Sequence, residues 1–272
     1  MSGSSAGIRV GCQTYTWEML GQKWRGSPDD ILDAVAAAGF GGVEFSNNMI
    51  GSYADRPEAF QKALEKRGLA CAAFAYATTG FTDPGREPDD LAGADRGLRF
   101  AAHFSVPLCL GGPSSESHDD YEAKFSQACR FYAEVARRGR EHGVAVAVHP
   151  HSHHTSLVLS PAEYDRLLSA TEAAGIMFNP DTGHMLRGGH DLLATLRKHR
   201  ARIVHVHIKD VDPAGHWQPL GKGTSDLGSL LQWLAESGYQ GWVVAEEESD
   251  AVWRDAARAI ADDRAYLRTL GF

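Results

Sequence analysis

The stretch Ile176–His184, IMFNPDTGH, contains the pattern from which the fold prediction starts. Its apolar residues IMF indicate a short buried strand. The polar residues that follow mark where the strand leaves a sheet, because proline cannot continue a ladder and glycine loosens the chain. Asp181 and His184 could hold a metal ion or polarise a substrate at such an edge. Asp-Thr-Gly is also ordinary turn chemistry, so the other strand ends must decide between the two interpretations.

The same order of elements, a short apolar run with a polar end followed by a helix, recurs eight times at roughly 30 residues per unit. Cap-then-proline starts such as Ser27-Pro28 and Ser160-Pro161 indicate where helices begin. The predicted strands cover residues 9–15, 41–45, 69–74, 107–110, 144–149, 176–179, 203–207 and 241–246. The predicted helices cover residues 28–38, 57–67, 89–104, 119–142, 161–174, 191–198, 226–237 and 250–270.

Short strands rich in Val, Ala, Ile and Leu are typical of a parallel sheet that is buried on both faces. Eight strand–helix units in 272 residues most simply close into an α/β fold, the (β/α)₈ TIM barrel. A doubly wound sheet is the alternative, but the chain contains neither GxGxxG nor GK[ST], so no phosphate loop is predicted. We expect an N-terminal tail over residues 1–7 and one domain over residues 8–272.

Composition and charge narrow the class of protein. The formal net charge of −8 argues against a nucleic-acid partner, which would favour a basic face. No apolar run approaches the ~20 residues needed to span a bilayer, and the first residues lack the regions of a signal peptide. The four cysteines are far apart without CxxC spacing. We therefore expect a cytoplasmic protein without membrane contact, for which a homo-oligomer is compatible with the sequence.

Four consecutive predicted strands end in side chains that can bind a metal. The fifth ends at His149, with His151 in the same parity, and the next three deliver Asp181, His207 and Glu246. In a TIM barrel the carboxyl ends of the strands meet at one face, where the chemistry takes place. Two imidazoles and two carboxylates suit a divalent ion such as Mn²⁺, Co²⁺, Zn²⁺ or Mg²⁺. We predict one such ion, with Mn²⁺ as the first candidate.

Each of these residues also has an ordinary interpretation when taken alone. Glu246 belongs to the acidic run EEESD, which is typical of a solvated face. His205 and His207 lie two residues apart, and one of them could simply pack inside the barrel, a role we assign to His205. The coincidence of four candidates at equivalent strand ends favours the metal site.

Seven motifs follow one another along the chain: GCQTYTW at 11–17, GGVEF at 41–45, HPH at 149–151, DTGH at 181–184, HVHIKD at 205–210, PLGKGTSD at 219–226 and GYQGWVVAE at 238–246. In their order and spacing they resemble the xylose-isomerase-like superfamily of sugar isomerases and epimerases, and within it the inosose-dehydratase-like members most. The resemblance implies a TIM barrel with one divalent metal, and it carries the ligand role onto Asp181, His207 and Glu246.

One position departs from the sugar epimerases of this superfamily. They commonly have a glutamate where this chain has His149, and two metal-bound carboxylates handle protons on opposite faces of the substrate. A symmetrical two-glutamate mechanism is therefore not expected here. Members with a histidine-rich end of the fifth strand act on keto-cyclitols, so the resemblance favours that substrate class.

A metal that chelates a ketone and its neighbouring hydroxyl acidifies the adjacent C–H and stabilises the enediolate. The enediolate can be reprotonated elsewhere, be reprotonated on the other face, or lose a β-hydroxyl. We therefore predict an isomerase, an epimerase or a dehydratase that acts on a small keto-sugar or keto-cyclitol.

Further site residues are predicted from parity and position. Lys209 should point into the mouth and stabilise an enolate oxygen, and His151, His184 and Glu246 are candidates for proton transfer. The predicted substrate contacts are Gln13, Tyr15, Trp17, Glu44, His154 and Trp217.

Three other functions remain open. A lyase that cleaves an oxidised C-glycoside would begin with the same enolisation. A metal-dependent phosphodiesterase, such as an abasic-site endonuclease, would need several metals and a basic groove. A non-catalytic sugar-binding barrel would not need the full ligand set.

Overall fold

The computed structural model describes residues 7–272. The predicted tail, residues 1–7, lies outside the described residues except for Gly7. The strands are β1 (Arg9–Gln13), β2 (Gly42–Ser46), β3 (Ala70–Tyr76), β4 (Leu108–Gly111), β5 (Val146–His149), β6 (Met177–Phe178), β7 (His205–Ile208), β8 (Asp210–Val211), β9 (Trp217–Gln218) and β10 (Trp242–Ala245). The helices are α1 (Tyr15–Glu18), α2 (Pro28–Ala38), α3 (Pro57–Glu65), α4 (Glu87–Phe104), α5 (Tyr121–Glu141), α6 (Pro161–Ala170), α7 (Thr182–Arg187), α8 (Leu192–His199), α9 (Leu227–Glu236) and α10 (Ala256–Thr269).

Eight of these strands form one parallel sheet in the order β6-β5-β4-β3-β2-β1-β10-β7. Strands β2 to β6 each lie beside the strand that precedes them in the chain, and β1 lies between β2 and β10. Phe178 of β6 also pairs in parallel with Ile203, two residues before β7 begins. The strands at the two ends of the order therefore meet, and the predicted (β/α)₈ TIM barrel is confirmed.

Contacts divide the chain into two compact units. The first unit holds the described residues up to Ala72 together with Val206–Phe272, and the second unit holds Ala73–His205. Both boundaries fall inside a strand, β3 and β7. The prediction of one domain over residues 8–272 stays a prediction. None of the helices in the described part of the chain is both long and apolar enough to cross a membrane.

The cap-then-proline signals mark helix starts correctly. Ser27 accepts a hydrogen bond from the Asp30 backbone N–H, and the Asp30 carboxylate accepts one from the Ser27 backbone N–H in return. Ser160 and Glu163 repeat this reciprocal pair before α6. Two of the N–H groups that a helix start leaves unpaired are satisfied in each case.

One level of the sheet in the second unit is filled by small and apolar side chains. Ala73, Cys109 and Ala147 form a buried cluster, and Met177 and Val204 pack against it. Cys109 pairs with Ala147, and Ala147 with Met177. Strand side chains alternate between faces, so this cluster defines the inner face of β3 to β6.

The outer face of β6 is marked by the residue that follows Met177. The Phe178 ring lies 6.0 Å from the rings of Tyr164 and His199, on α6 and α8. Phe178 therefore points towards the helices, and the residues on either side of it point inwards.

Several predicted boundaries were wrong. Strand β1 ends at Gln13 rather than residue 15, because Tyr15 begins the short helix α1. Helix α6 ends at Ala170 rather than 174, and α10 begins at Ala256 rather than 250. Helix α7 and the antiparallel hairpin β8–β9 were not predicted. Asp181 is not a simple turn residue, since its carboxylate caps α7.

Candidate metal centre and active site

In the first unit, a buried histidine lies between two carboxylates. His207 is on β7, Glu44 on β2, and Glu246 directly follows β10. His207 Nδ1 is 2.7 Å from Glu246 Oε2, and His207 Nε2 is 2.8 Å from Glu44 Oε2. All three side chains are at least 95% buried, with exposures of 1% for His207, 0% for Glu44 and 5% for Glu246. Two hydrogen bonds to carboxylates require a proton on both ring nitrogens.

The two carboxylates therefore stabilise an imidazolium at His207. Burial by itself would lower the pKa of His207, but the charges and hydrogen bonds of Glu44 and Glu246 outweigh it and raise the pKa to about 10. A metal ion that binds a ring nitrogen of His207 must displace a proton from it.

Lys209 is buried beside this histidine–carboxylate cluster, and its role towards a substrate stays a prediction. Its Nζ lies 3.3 Å from Glu246 Oε2 and donates a hydrogen bond to Glu248. It also lies 5.1 Å from the centre of the Trp217 ring on β9, within the range of a cation–π contact. The ammonium is thus held by two carboxylates and an aromatic face.

The acidic run 246–248 is buried, so its interpretation as a solvated face was wrong. Glu248 was not predicted, although it shares the parity of Glu246. Glu247 accepts a hydrogen bond from the Ser249 backbone N–H and lies against Asp263 of α10. Burial is the largest cause, and the charge of Glu247 the second, that raise the pKa of Asp263 well above its usual range.

Three predicted substrate contacts lie at the start of the first unit. Gln13 Oε1 accepts a hydrogen bond from the Tyr15 backbone N–H, so its carbonyl supports the turn into α1. The pKa of Tyr15 is raised to about 12, mainly by burial and secondly by the charge of Glu248. Trp17 is buried at 4% exposure, and Trp217 is half-buried. Their contact with a substrate stays a prediction.

In the second unit, the ends of β5 and β6 orient two predicted ligands. His149 Nδ1 lies 3.2 Å from the Asn179 carbonyl oxygen and donates to it, so Nε2 is the ring atom that a metal could use. Asp181 Oδ1 accepts a hydrogen bond from the His184 backbone N–H at 2.9 Å. Its second oxygen is then the one suited to a metal. Both side chains are buried.

His184 is oriented by a backbone donor. The Ser152 backbone N–H donates to His184 Nδ1 at 3.0 Å, and Ser152 Oγ lies 2.8 Å from the same atom. Nδ1 is therefore an acceptor, and the neutral ring carries its proton on Nε2. His149, His151 and His184 offer ligand atoms within 4.8 Å of one another, but this tautomer suits His184 to donating a hydrogen bond rather than to binding a metal.

Several imidazoles cluster around His151. Its ring centre is 4.6 Å from that of His149 and 5.1 Å from that of His184. The ring of His153, which was not predicted, lies 5.3 Å from that of His184. His153 and the predicted His154 are both exposed on this loop. In a row of histidines, parity fails once the chain leaves the extended conformation, so the sequence could not decide between these two.

Residues 32–270 match the family model of the xylose isomerase-like TIM barrel. The chain belongs to this family. It is 30% identical over 262 residues to the rhizopine catabolism protein MocC of Rhizobium meliloti, a match that covers 82% of this chain and 75% of that protein. It is 26% identical over 270 residues to the inosose dehydratase of Geobacillus thermodenitrificans, with 88% of both chains covered.

Solved structures of low sequence identity share the fold. The 3-keto-D-glucoside 4-epimerase YcjR of E. coli superposes with a TM-score of 0.78 at 20% identity, covering 96% of this chain and 99% of the epimerase. The IOLI protein with a bound zinc atom superposes with a TM-score of 0.77 at 15% identity, covering 96% and 97%. The relatives named here include a dehydratase and an epimerase, so the family resemblance inferred from the motifs is confirmed.

Proposed function

We propose that this protein is a divalent-metal-dependent enzyme that enolises a polyhydroxylated ketone and then eliminates water from it, with a keto-cyclitol as the favoured substrate class. The observation that carries the proposal is the buried arrangement of His207 between two carboxylates, with Lys209 beside one of them. Strongly perturbed, buried ionisable groups are costly to a fold and mark functional sites.

The donor set fits a single divalent ion. His149, Asp181, His207 and Glu246 are a group of side chains that could hold a metal, and two imidazoles with two carboxylates suit Mn²⁺, Co²⁺, Zn²⁺ or Mg²⁺. Glu44 would remain on the other nitrogen of His207, the carboxylate–histidine arrangement that orients metal-bound histidines. When bound, the metal would polarise the ketone and the neighbouring hydroxyl.

The side chains then have distinct tasks. Glu246 takes the proton from the carbon beside the ketone, since it is a carboxylate held at the end of β10. Negative charge develops on the ketone oxygen, where Lys209 supplies a positive charge and His184 supplies its Nε2–H. Glu248 holds the Lys209 side chain in position through its hydrogen bond.

Elimination is favoured over epimerisation because of the fifth strand. An epimerase needs a base on each face of the substrate, and His149 stands where the second glutamate would be. The imidazole cluster around His151 provides a different function, because imidazoles act as general acids near neutral pH. His151 gives a proton to the departing β-hydroxyl, so the C–H electron pair becomes the new double bond and one water is released. The inosose dehydratase relative is named for an elimination.

The test is a panel of keto-sugars and keto-cyclitols, including 2-keto-myo-inositol, incubated in D₂O with the Mn²⁺-loaded protein. NMR should show deuterium entering at the carbon beside the ketone, and mass spectrometry should show a product lighter by one water. Asp181→Ala is the metal-deficient control and should show neither. Exchange with inversion but no loss of water would replace elimination by epimerisation. Absence of exchange across the panel would refute the proposal.

A further inference from the structure

We infer that the side-chain amide of Asn179 is a specificity determinant that binds adjacent hydroxyl groups of the substrate. This inference rests on the proposed function and deepens it. Asn179 is fully buried, at 0% exposure. Within residues 7–272, neither its Nδ2 nor its Oδ1 has a hydrogen-bond partner. Leaving a buried amide unpaired is costly, and buried polar groups in native proteins are otherwise nearly always satisfied.

The direction of the Asn179 side chain follows from its neighbours. The Asn179 backbone N–H donates to the Val148 carbonyl at 2.9 Å, so the chain is still paired with β5 at this position. Phe178 points towards the helices, and Met177 packs on the inner face. Asn179, two residues after Met177, therefore projects to the inner face, one level nearer the carboxyl ends of the strands.

That level also contains a proposed ligand and two very small residues. His149 follows Ala147 by two residues, just as Asn179 follows Met177 by two, so both side chains lie at the same height on the inner face. The His149 Nδ1 donates to the Asn179 carbonyl. Gly111 pairs with His149. An added Cβ on Gly111 would meet the Ala77 Cβ at 3.3 Å. The amide thus shares its level with a proposed metal ligand, while β4 and the residue after β3 contribute no side chain larger than a methyl group there.

A carboxamide presents a donor and an acceptor side by side. Two adjacent hydroxyls complement it, because each hydroxyl can donate and accept. A polyhydroxylated ring supplies such pairs around its whole circumference, whereas an apolar ligand would leave both amide groups unpaired. The amide is therefore suited to select a substrate by one particular pair of hydroxyls.

The first experiment replaces Asn179 with leucine, which has a similar size but makes no hydrogen bonds. Loss of two neutral hydrogen bonds should lower kcat/KM for 2-keto-myo-inositol roughly 30-fold, while Mn²⁺ content stays at the wild-type value. The melting temperature should stay equal or rise, because two unpaired buried groups are removed. Gln127→Leu is the matched control, since Gln127 is also a buried amide whose Nε2 has no partner among the described residues, and its kcat/KM should not change.

The second experiment uses deoxy analogues of the keto-cyclitol, and Asn179→Ala as a second variant in case leucine does not fold. Wild type should bind one particular deoxy analogue at least tenfold more weakly in calorimetry, and the variants should lose that discrimination. Equal discrimination in wild type and variant would refute the inference, as would a fall in kcat/KM of less than threefold. A clear fall in melting temperature for Asn179→Leu would also overturn it, since the amide would then support the fold through an ordered water.

Failure of the two proposals can be told apart. If wild type binds the keto-cyclitol without proton exchange, the proposed reaction fails, and the binding ratios still decide the role of Asn179. If wild type exchanges protons and the variants match it, only the inference fails. A wild-type protein that binds no member of the panel would overturn both.

Discussion

Binding of Mn²⁺ to the metal-stripped protein should release a proton from His207. In the metal-free site both ring nitrogens donate to carboxylates, and the pKa of His207 is raised to about 10. A metal can bind the ring only at a nitrogen that has lost its proton. Proton release is therefore a direct consequence of the proposed ligand set.

The size of the effect follows from that pKa. At pH 8, two units below a pKa of about 10, roughly 99% of the His207 rings carry the extra proton, so close to one proton should be released per ion. Ordinary carboxylates and histidines are already deprotonated at this pH and add little. Between pH 7 and 9 the apparent affinity should rise about tenfold per pH unit, and it should level off near pH 10.

The assay is isothermal titration calorimetry at pH 8 in two buffers of different ionisation enthalpy, which gives the number of protons released. Glu44→Gln removes one of the two carboxylates that raise the pKa of His207, so it should release fewer protons. Glu134→Gln, a surface carboxylate paired with arginines on α5, is the control and should release as many as wild type. A wild-type value near zero at pH 8, with Mn²⁺ bound, would show that His207 is not a ligand.

Four further predictions follow from single contacts. Lys209→Met should lower kcat by about 10²–10³ with Mn²⁺ content unchanged, and turnover within a few-fold of wild type would make Lys209 a bystander. Asp181→Ala should lose the metal, and because Asp181 caps α7 it should also lose about 1 kcal/mol of stability in urea unfolding. Asp191 caps α8 in the same way, so Asp191→Ala should show the same loss of stability and keep its metal. Arg202→Met should destabilise the protein by about 2–3 kcal/mol, because its guanidinium donates to the carbonyls of Leu168 in the last turn of α6 and of Ile176 after it; unfolding at the wild-type urea midpoint would contradict this. Because the pKa of His207 is raised, its contribution to the stability of the metal-free protein should be complete below pH 6.5 and disappear as the pH rises to about 10, and a melting temperature unaffected over that interval would argue against the ion pairs.

The parts of the fold that local sequence determines were predictable. Largely apolar runs of four to seven residues located all eight barrel strands, since a strand buried on both faces needs continuous apolar sequence. Glycine or proline closes some of these runs directly, as at Pro150 and Pro180. Reciprocal caps such as Ser27–Asp30 act within four residues, so they are visible in the sequence. The ligand candidates were chosen because barrel topology brings equivalent strand ends to one face, and their role as ligands stays a prediction.

The parts that depend on distant partners were not predictable. The run at 246–248 has the composition of a solvated face, and it is buried because Lys209, almost 40 residues earlier, and Asp263 contact its carboxyl groups. The hairpin β8–β9 consists of two pairs of residues, too short for a periodic pattern. Asp210 fixes the loop after β9 by accepting hydrogen bonds from the backbone N–H groups of Gly221 and Gly223. These contacts span more than ten residues and have no local sequence signature.

The roles of the polar residues depend on hydrogen bonds that composition does not reveal. His184 was a candidate because of its distance from Asp181 in sequence, yet its task is decided by the backbone N–H of Ser152, which occupies Nδ1. A backbone donor persists whatever side chain stands at position 152, so the Nε2–H tautomer is a property of the loop's path. Asn179 is the opposite case, because its side-chain amide has no hydrogen-bond partner within the described residues. In the proposed site, the oriented imidazole of His184 on α7 would present a fixed donor to one substrate oxygen, and the Asn179 amide after β6 would offer a donor–acceptor pair to two others.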